Sequence, residues 1–261
     1  MIIAVTGTDT DVGKTVLTAA LAAGALEAGR SVAIYKPTQT GVAPGQAGDV
    51  HAIGTWLGDP PRLTVSEGVR LAAPMAPVDA ALHAGGPAAA AALPTLADHL
   101  RTARELARCH DVLLIEGAGG LLVSLTRAGD TIADIARGLG ARLVVATRPD
   151  LGTLNHTALT LEAAAARGFA RGVLVPGSFP ADPTALQLLN RTNLRVLAGR
   201  HGWAWADGPP AGAVADPVHR QWILHAAGRK LAPVLAEAPL PEAPGTADAP
   251  PGFVPEPVHA R

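Results

Sequence analysis

The chain has 261 residues, and its 21 Lys and Arg side chains are balanced by 22 Asp and Glu side chains. Without a surplus of positive charge, neither nucleic acid nor an anionic membrane surface is a predicted partner. The mean hydropathy of +0.25 reflects abundant alanine, and no apolar run approaches the roughly 20 residues that cross a bilayer.

The chain begins with an apolar stretch, Met1 to Gly7, that predicts a buried strand leading into a loop. It lacks the basic and long apolar regions of a secretion signal, so we expect a cytoplasmic location. The single cysteine, Cys109, excludes an intramolecular disulfide and a multi-cysteine metal site. We predict that it packs near a helix end.

Short aliphatic runs alternate with long Ala- and Leu-rich stretches, a pattern typical of a parallel sheet covered by helices on both faces. The predicted strands are Ile2 to Thr6, Ser31 to Tyr35, Val112 to Ile115, Arg142 to Thr147 and Val173 to Val175. The predicted helices are Lys14 to Ala28, Leu93 to Ala107, Thr131 to Leu139, Leu154 to Arg167 and Pro217 to Ala236. We therefore predict an α/β fold with one doubly wound, mainly parallel sheet.

Glycines mark the expected helix ends, where a residue without Cβ enters the left-handed region cheaply: Gly29, Gly140 and Gly168. The Ala- and Gly-rich composition of residues 85–92, which include Pro87, indicates either a surface connection or a continuing helix. From Glu237 onward the composition changes to Pro, Ala and acidic residues. We predict a single domain over residues 1–236 and a disordered, dispensable tail over residues 237–261.

Residues 7–15, Gly-Thr-Asp-Thr-Asp-Val-Gly-Lys-Thr, lie between a predicted strand and a predicted helix. Such a loop holds nucleotide phosphates with backbone N–H groups, its lysine reaches the outer phosphates, and its last Thr binds Mg²⁺. The usual first glycine is replaced by Thr8, and Gly7 stands one step earlier. A plain glycine turn is the competing interpretation, which the Gly-Lys-Thr ending disfavours. The predicted nucleotide contacts are Thr8, Asp9, Thr10, Asp11, Val12, Gly13, Lys14, Thr15 and Val16.

Lys36 follows the second predicted strand, in the string Tyr35 to Gly41. Ligands of doubly wound sheets bind outside the carboxyl ends of the strands, so Lys36 is expected beside the phosphate loop. Two facing lysines indicate an anion between them, although a lone lysine after a strand is more often a solvated edge residue.

Glu116 ends the buried strand that starts at Val112, and a glycine-rich turn follows it. A carboxylate at this edge is a candidate Mg²⁺ ligand, because Mg²⁺ prefers carboxylate oxygens together with substrate phosphates. Asp49 could supply a second carboxylate. The competing interpretations are a turn-capping role for Glu116 and a helix N-cap for Asp49.

These three motifs, in this order, resemble the dethiobiotin synthetases, the biotin-pathway family of the P-loop amidoligases and ATPases. The strings Asp150 to Thr157 and Ala73 to Ala80 strengthen the resemblance, and the second is similar to the family's substrate-side segment. The resemblance runs from Met1 to about residue 208 and implies P-loop NTPase topology.

The resemblance implies that a homodimer uses ATP and Mg²⁺ to close a urea ring. In that reaction, 7,8-diaminononanoate captures CO₂, derived from bicarbonate, as a carbamate, the carbamate is phosphorylated, and the second amine displaces phosphate. The implied catalytic residues are Lys14, Lys36 and Thr10, and the implied Mg²⁺ ligands are Thr15, Asp49 and Glu116. The implied substrate contacts are Lys36, Thr40 and Gly119, with Thr153, Leu154 and Asn155 reaching across the dimer interface.

The nucleobase site departs from the family pattern, which commonly reads adenine with an Asn after the strand corresponding to Val173 to Val175. Here residues 176–180 are Pro-Gly-Ser-Phe-Pro, so Gly177 and Ser178 are the predicted base-side contacts. A backbone group and a hydroxyl discriminate less sharply than an amide. We therefore predict weak adenine preference and use of another triphosphate such as CTP.

Other classes fit the sequence less well. A MinD- or ParA-type ATPase would carry a second lysine where this chain has Asp9, and a GTPase would carry lysine in place of Arg148. A corrinoid amidation enzyme would need a glutaminase domain with a catalytic cysteine. An inactive nucleotide-binding scaffold would be favoured by loss of Lys14, Thr15, Lys36 or Glu116, and all four are present.

Overall fold

Within residues 1–236, the aliphatic runs form one sheet of seven strands, and the Ala- and Leu-rich stretches form helices. The computed structural model describes residues 1–236, and the predicted tail lies outside the described residues. The strands are β1 (Ile2–Gly7), β2 (Val32–Thr40), β3 (Leu63–Leu71), β4 (Val112–Glu116), β5 (Arg142–Thr147), β6 (Val173–Pro176) and β7 (Ala204–Trp205). The helices are α1 (Lys14–Glu27), α2 (Asp49–Leu57), α3 (Pro77–Ala91), α4 (Leu96–Cys109), α5 (Ile132–Leu139), α6 (Thr153–Ala166), α7 (Ala185–Arg200) and α8 (Arg220–Lys230), followed by a 3₁₀ helix (Ala232–Leu235).

All neighbouring strands run parallel, in the order β3-β2-β4-β1-β5-β6-β7. β1 lies between β4 and β5, and β2 pairs with β4 on its far side. The carboxyl ends of β1, β4 and β2 are therefore adjacent at one edge of the sheet. This topology brings the three sequence motifs together.

Two apolar layers enclose the sheet, because successive strand side chains point to opposite faces. On one face, Ile3 and Val5 pack with residues of α1, α2 and α8. On the other face, Ala4 and Leu143 pack with residues of α4, α5, α6 and α7. The prediction of a doubly wound α/β domain is confirmed.

All five predicted strands are present, whereas β3, β7, α2, α7 and the first half of α3 were not predicted as elements. β3 is an edge strand with half-exposed residues, so it lacks the continuous apolar run that marks a central strand. The helix predicted from Leu93 begins three residues later, because Thr95 and Asp98 form a capping box. The helix predicted over residues 217–236 is divided into α8 and the 3₁₀ helix, which contains Pro233.

Glycine at the predicted helix ends adopts the left-handed conformation, with φ of 78° at Gly29, 61° at Gly140 and 87° at Gly168. Residues 85–92 lie mostly in α3, which is kinked at its two adjacent glycines. Cys109 is the last residue of α4 but is exposed, so the prediction that it packs was wrong. None of the described helices is long and apolar enough to span a membrane.

A buried pair, Tyr35 and His99, predicts a pH dependence of stability. The Tyr35 hydroxyl lies 2.8 Å from Nδ1 of the fully buried His99. Burial lowers the pKa of His99 below its ordinary value of 6.5, so the folded state favours the neutral ring. The unfolded chain binds this proton as the pH falls below 6.5, and the stability contributed by the neutral ring is then lost.

We therefore expect the free energy of unfolding, measured in urea at about pH 7.5 and 5.5, to fall less in His99→Gln than in the wild type. The control is His51→Gln, because His51 lies on the surface with 48 % of its side chain exposed. An equal fall in His99→Gln and the wild type would show that His99 does not contribute.

Candidate nucleotide and substrate site

The phosphate loop joins β1 to α1 and holds its own lysine in place. Gly13 has a φ of 90°, a left-handed conformation that favours glycine, and Asp11 has a φ of 56°. Lys14 is 8 % exposed, and its Nζ donates a 2.8 Å hydrogen bond to the carbonyl oxygen of Asp9. The lysine predicted to reach the outer phosphates is thus already positioned against the loop.

A charged cluster joins the three motifs. Nζ of Lys36 forms ion pairs with Asp49 and, at 2.8 Å, with Oε1 of Glu116. Oγ1 of Thr15 donates a 2.8 Å hydrogen bond to the same Glu116 oxygen. Lys36 is 4 % exposed and Glu116 is fully buried. Within the described residues, Oε2 of Glu116 is buried and has no hydrogen-bond partner.

Burial and neighbouring charges shift the pKa values of Lys14 and Lys36 in opposite directions. Desolvation lowers the pKa of Lys14, and the positive charge of Lys36 acts in the same direction, although Glu116 opposes both. Desolvation also opposes the charge on Lys36, but the carboxylates of Glu116 and Asp49 outweigh it and raise the pKa of Lys36 above its ordinary value. Lys36 is therefore a fixed positive charge at neutral pH.

A cavity of about 790 Å³ opens over this cluster. Predicted site residues make up much of its lining: Thr10, Asp11, Gly13, Lys14, Thr15, Val16, Lys36, Thr40, Asp49, Glu116 and Gly119. Pro74 to Pro77, part of the predicted substrate-side segment, also line it. The cavity is large enough for a phosphate chain and a small organic substrate together.

Other predicted site residues lie outside this cavity. Thr153 is buried, and its hydroxyl is hydrogen-bonded to the Thr147 hydroxyl at 2.8 Å and donates to the Arg148 carbonyl at 2.6 Å. Leu154 packs against the apolar layer beneath α6, whereas Asn155 is exposed. Their contact with a partner's substrate stays a prediction. Thr8, Asp9, Val12, Gly177 and Ser178 also lie outside the cavity lining.

Gly177, predicted as a nucleobase contact, lies directly against the phosphate loop. A Cβ at Gly177 would be 1.9 Å from the Val12 carbonyl oxygen, and a Cβ at Gly13 would be 2.5 Å from the Gly177 carbonyl oxygen. The end of β6 and the phosphate loop therefore approach as bare backbone. This packing accounts for the glycine at position 177 independently of any contact with a base.

Gln39 is a site residue that the sequence reasoning did not single out. Its Oε1 accepts a 2.8 Å hydrogen bond from the Asp49 N–H, and its Nε2 donates to the Thr40 carbonyl at 3.1 Å. Gly48, at the α2 N-cap, has no side chain that could cap the helix, so Gln39 satisfies this N–H from β2. Gln39 lies within the quoted string Tyr35 to Gly41, but the spacing alone does not reveal its partner.

The sheet order and the phosphate loop with its lysine, Lys14, define a P-loop nucleotide-binding protein. The family model described as an AAA domain matches residues 2–199. The MinD cell division protein of Aquifex aeolicus matches with a TM-score of 0.52 at 11 % identity, covering 92 % of this chain and 98 % of that one. The Mg-ADP complex of MinD from Pyrococcus horikoshii matches with a TM-score of 0.50 at 15 % identity, covering 91 % and 97 %. At these identities the likeness concerns the fold alone.

Relatives found by sequence similarity identify the family more specifically than the structural matches do. The chain is 48 % identical to the ATP-dependent dethiobiotin synthetase of Rhodococcus jostii over 76 % of this chain and 82 % of that protein. It is 42 % identical to the enzyme of the same name from Streptomyces coelicolor, over 81 % and 84 %. The chain belongs to the dethiobiotin synthetase family. The resemblance predicted from the motifs is confirmed, and the MinD-type alternative is limited to a shared fold.

Proposed function

We propose that this dethiobiotin synthetase closes the ureido ring of 7,8-diaminononanoate with CO₂ and ATP. The observation that carries the proposal is the convergence of Lys14, Lys36 and Glu116 on one cavity, in a chain whose relatives are named ATP-dependent dethiobiotin synthetases. One amine attacks CO₂ and releases a proton, giving a carbamate. A carbamate oxygen attacks the γ-phosphorus and ADP leaves. The second amine then attacks the carbonyl carbon of the mixed anhydride, and phosphate leaves.

The protein's contribution is alignment and charge neutralisation, which are the main demands of phosphoryl transfer. Lys36 provides a buried positive charge for the carbamate and the transferring phosphoryl group. Lys14 can exchange the Asp9 carbonyl for a phosphate oxygen as nucleotide binds. Because the carbamate is the nucleophile, the reaction needs no nucleophilic side chain.

The cluster also fits a magnesium ion. The described residues contain no group of three His, Cys, Asp or Glu side chains that could hold a metal by themselves. Mg²⁺ commonly takes one or two carboxylates and completes its shell with substrate phosphates and water. The hydroxyl of Thr15 and the carboxylates of Asp49 and Glu116, including the unpartnered Glu116 Oε2, would hold it. Bound there, it would neutralise charge on the phosphates.

A homodimer with substrate at the interface is part of the proposal. Apolar side chains on and beside α6 and α7 support it, since Leu151 is 83 % exposed, Leu159 57 % and Leu189 51 %. They lie near the segment that starts at Thr153. Burying this face in a second copy of the chain would bring that segment to the dimer interface.

Product analysis tests the proposal directly. Purified protein is incubated with 7,8-diaminononanoate, bicarbonate, Mg²⁺ and ATP, and dethiobiotin is sought by mass spectrometry. We expect product to depend on the diamine and bicarbonate, with ¹³C from labelled bicarbonate in the ureido carbon. Nucleotide hydrolysis without dethiobiotin would contradict the proposal, and absence of turnover with intact nucleotide binding would favour a scaffold.

The nucleobase prediction uses the same assay with ATP, CTP, GTP and UTP at matched concentrations. Because Gly177 packs on the loop and Ser178 has only one hydroxyl, we expect weak discrimination among the bases, with kcat/KM for ATP and CTP within about tenfold of each other. CTP is expected to support turnover as well as ATP or better. A strong preference for ATP, with the other triphosphates inactive, would show that a group outside residues 176–180 recognises adenine.

A further inference from the structure

An arginine from the end of β5 reaches the tip of the phosphate loop. Nη2 of Arg148 forms an ion pair with Oδ2 of Asp9. Asp9 precedes the lysine of the loop by five residues, and Arg148 directly follows the last residue of β5. The pair thus joins two segments that are separated by 139 residues in the chain.

The arginine end of this pair is anchored in the fold. The Thr153 hydroxyl donates to the Arg148 carbonyl at 2.6 Å, and Nδ2 of Asn190 on α7 donates to the Pro149 carbonyl at 2.8 Å. Nε2 of Gln187 donates to Oδ1 of Asp150 at 2.9 Å. Two helices therefore hold the backbone from which Arg148 extends.

The aspartate end is tied to the phosphate-binding machinery. Oδ1 of Asp9 accepts a 2.7 Å hydrogen bond from the Thr10 N–H, while its carbonyl accepts the hydrogen bond from Lys14. The Thr10 N–H and then the charge of Arg148 hold the pKa of Asp9 below its ordinary value. Asp9 is therefore a negative charge within a loop that receives a polyanion.

We infer that Arg148 is a positioning residue for the nucleotide: it neutralises Asp9 and fixes the tip of the phosphate loop. Without Arg148, the uncompensated charge of the Asp9 carboxylate repels the incoming triphosphate. The loop backbone whose carbonyl group holds Lys14 also loses one of its anchoring contacts. The interaction contributes to nucleotide affinity more than to the chemical step, because it involves no reacting atom. This inference rests on the ATP-dependent part of the proposed function.

The test measures ATP affinity by calorimetry without diamine, and KM and kcat in the dethiobiotin assay. We expect Arg148→Ala to weaken ATP binding about fivefold, since a partly exposed charge acts through a screened field, with kcat reduced less than about twofold. Arg148→Lys keeps the charge and is expected to retain most of the affinity. Raising the salt concentration should shrink the difference between Arg148→Ala and the wild type.

The double variant gives the sharpest outcome. Because Asp9→Asn removes the charge that Arg148 neutralises, adding it to Arg148→Ala should restore ATP affinity toward the wild-type value. Arg229→Ala is the matched control, since Arg229 pairs with Glu27 between α8 and α1, away from the loop. Affinity within about twofold of the wild type in Arg148→Ala, or further weakening by Asp9→Asn, would overturn the inference. Because calorimetry needs no diamine, this result is independent of whether dethiobiotin is formed.

Discussion

Replacing Lys36 with glutamine is expected to lower kcat for dethiobiotin formation by about 10²- to 10³-fold, the usual cost of losing one preorganised donor to a developing charge. Lys36 forms ion pairs with Asp49 and Glu116 and is almost fully buried. Solvent therefore cannot compensate for the loss of its positive charge. Glutamine retains a hydrogen-bond donor but lacks the positive charge that Lys36 provides for the carbamate and the transferring phosphoryl group. Binding of ATP should persist, because the phosphate loop and Lys14 are unchanged.

The matched control is Lys230→Gln. Lys230 is an exposed residue of α8 and does not line the site cavity. The Lys230→Gln variant is expected to leave kcat unchanged. Thermal melting of both variants shows whether a loss of activity comes from the reaction or from a loss of folded protein. Near-normal turnover in a folded Lys36→Gln protein would remove Lys36 from the catalytic assignment.

Replacing Gly177 with alanine is expected to lower the free energy of unfolding by about 3 kcal/mol and the melting temperature by about 6 to 12 °C. The added methyl group would collide with the Val12 carbonyl oxygen, and neither backbone can rotate away as a side chain would. The end of β6 and the phosphate loop must then separate. ATP binding is expected to weaken with this displacement.

Gly129→Ala is the control for this substitution. Gly129 has a φ of 90°, but a Cβ there would meet no atom within 4 Å. It therefore measures the backbone strain of a non-glycine residue alone, about 1 kcal/mol. If Gly177→Ala melts within about 2 °C of the wild type, the close approach of the two backbones is not a constraint.

Several features could be predicted because local physical chemistry determines them. The run Ile2 to Thr6 is apolar and is followed by a loop ending in Gly-Lys-Thr, so strand, phosphate loop and helix follow from adjacent residues. The parallel sheet follows from the alternation of aliphatic runs with helical stretches, and the glycine at position 140 marks a helix end. Each of these depends on interactions within a few residues along the chain.

Other features depended on distant partners. From its sequence context Asp49 is more often a helix N-cap than a metal ligand, and only the tertiary structure places it, at the start of α2, against Lys36. The register of β2 and β4 brings Lys36 beside Glu116. The edge strand β3 lacks a continuous apolar run, because it has a neighbour on one side only.

The sequence by itself determined the α/β class, the nucleotide loop and the family, because these reside in contiguous motifs and in the periodicity of apolar residues. Tertiary structure alone decided the packing of Gly177 on the loop, the support of Asp49 by Gln39 and the pairing of Arg148 with Asp9. These contacts join residues from different strand ends. Their geometry depends on sheet order and strand register, which no short stretch of sequence encodes.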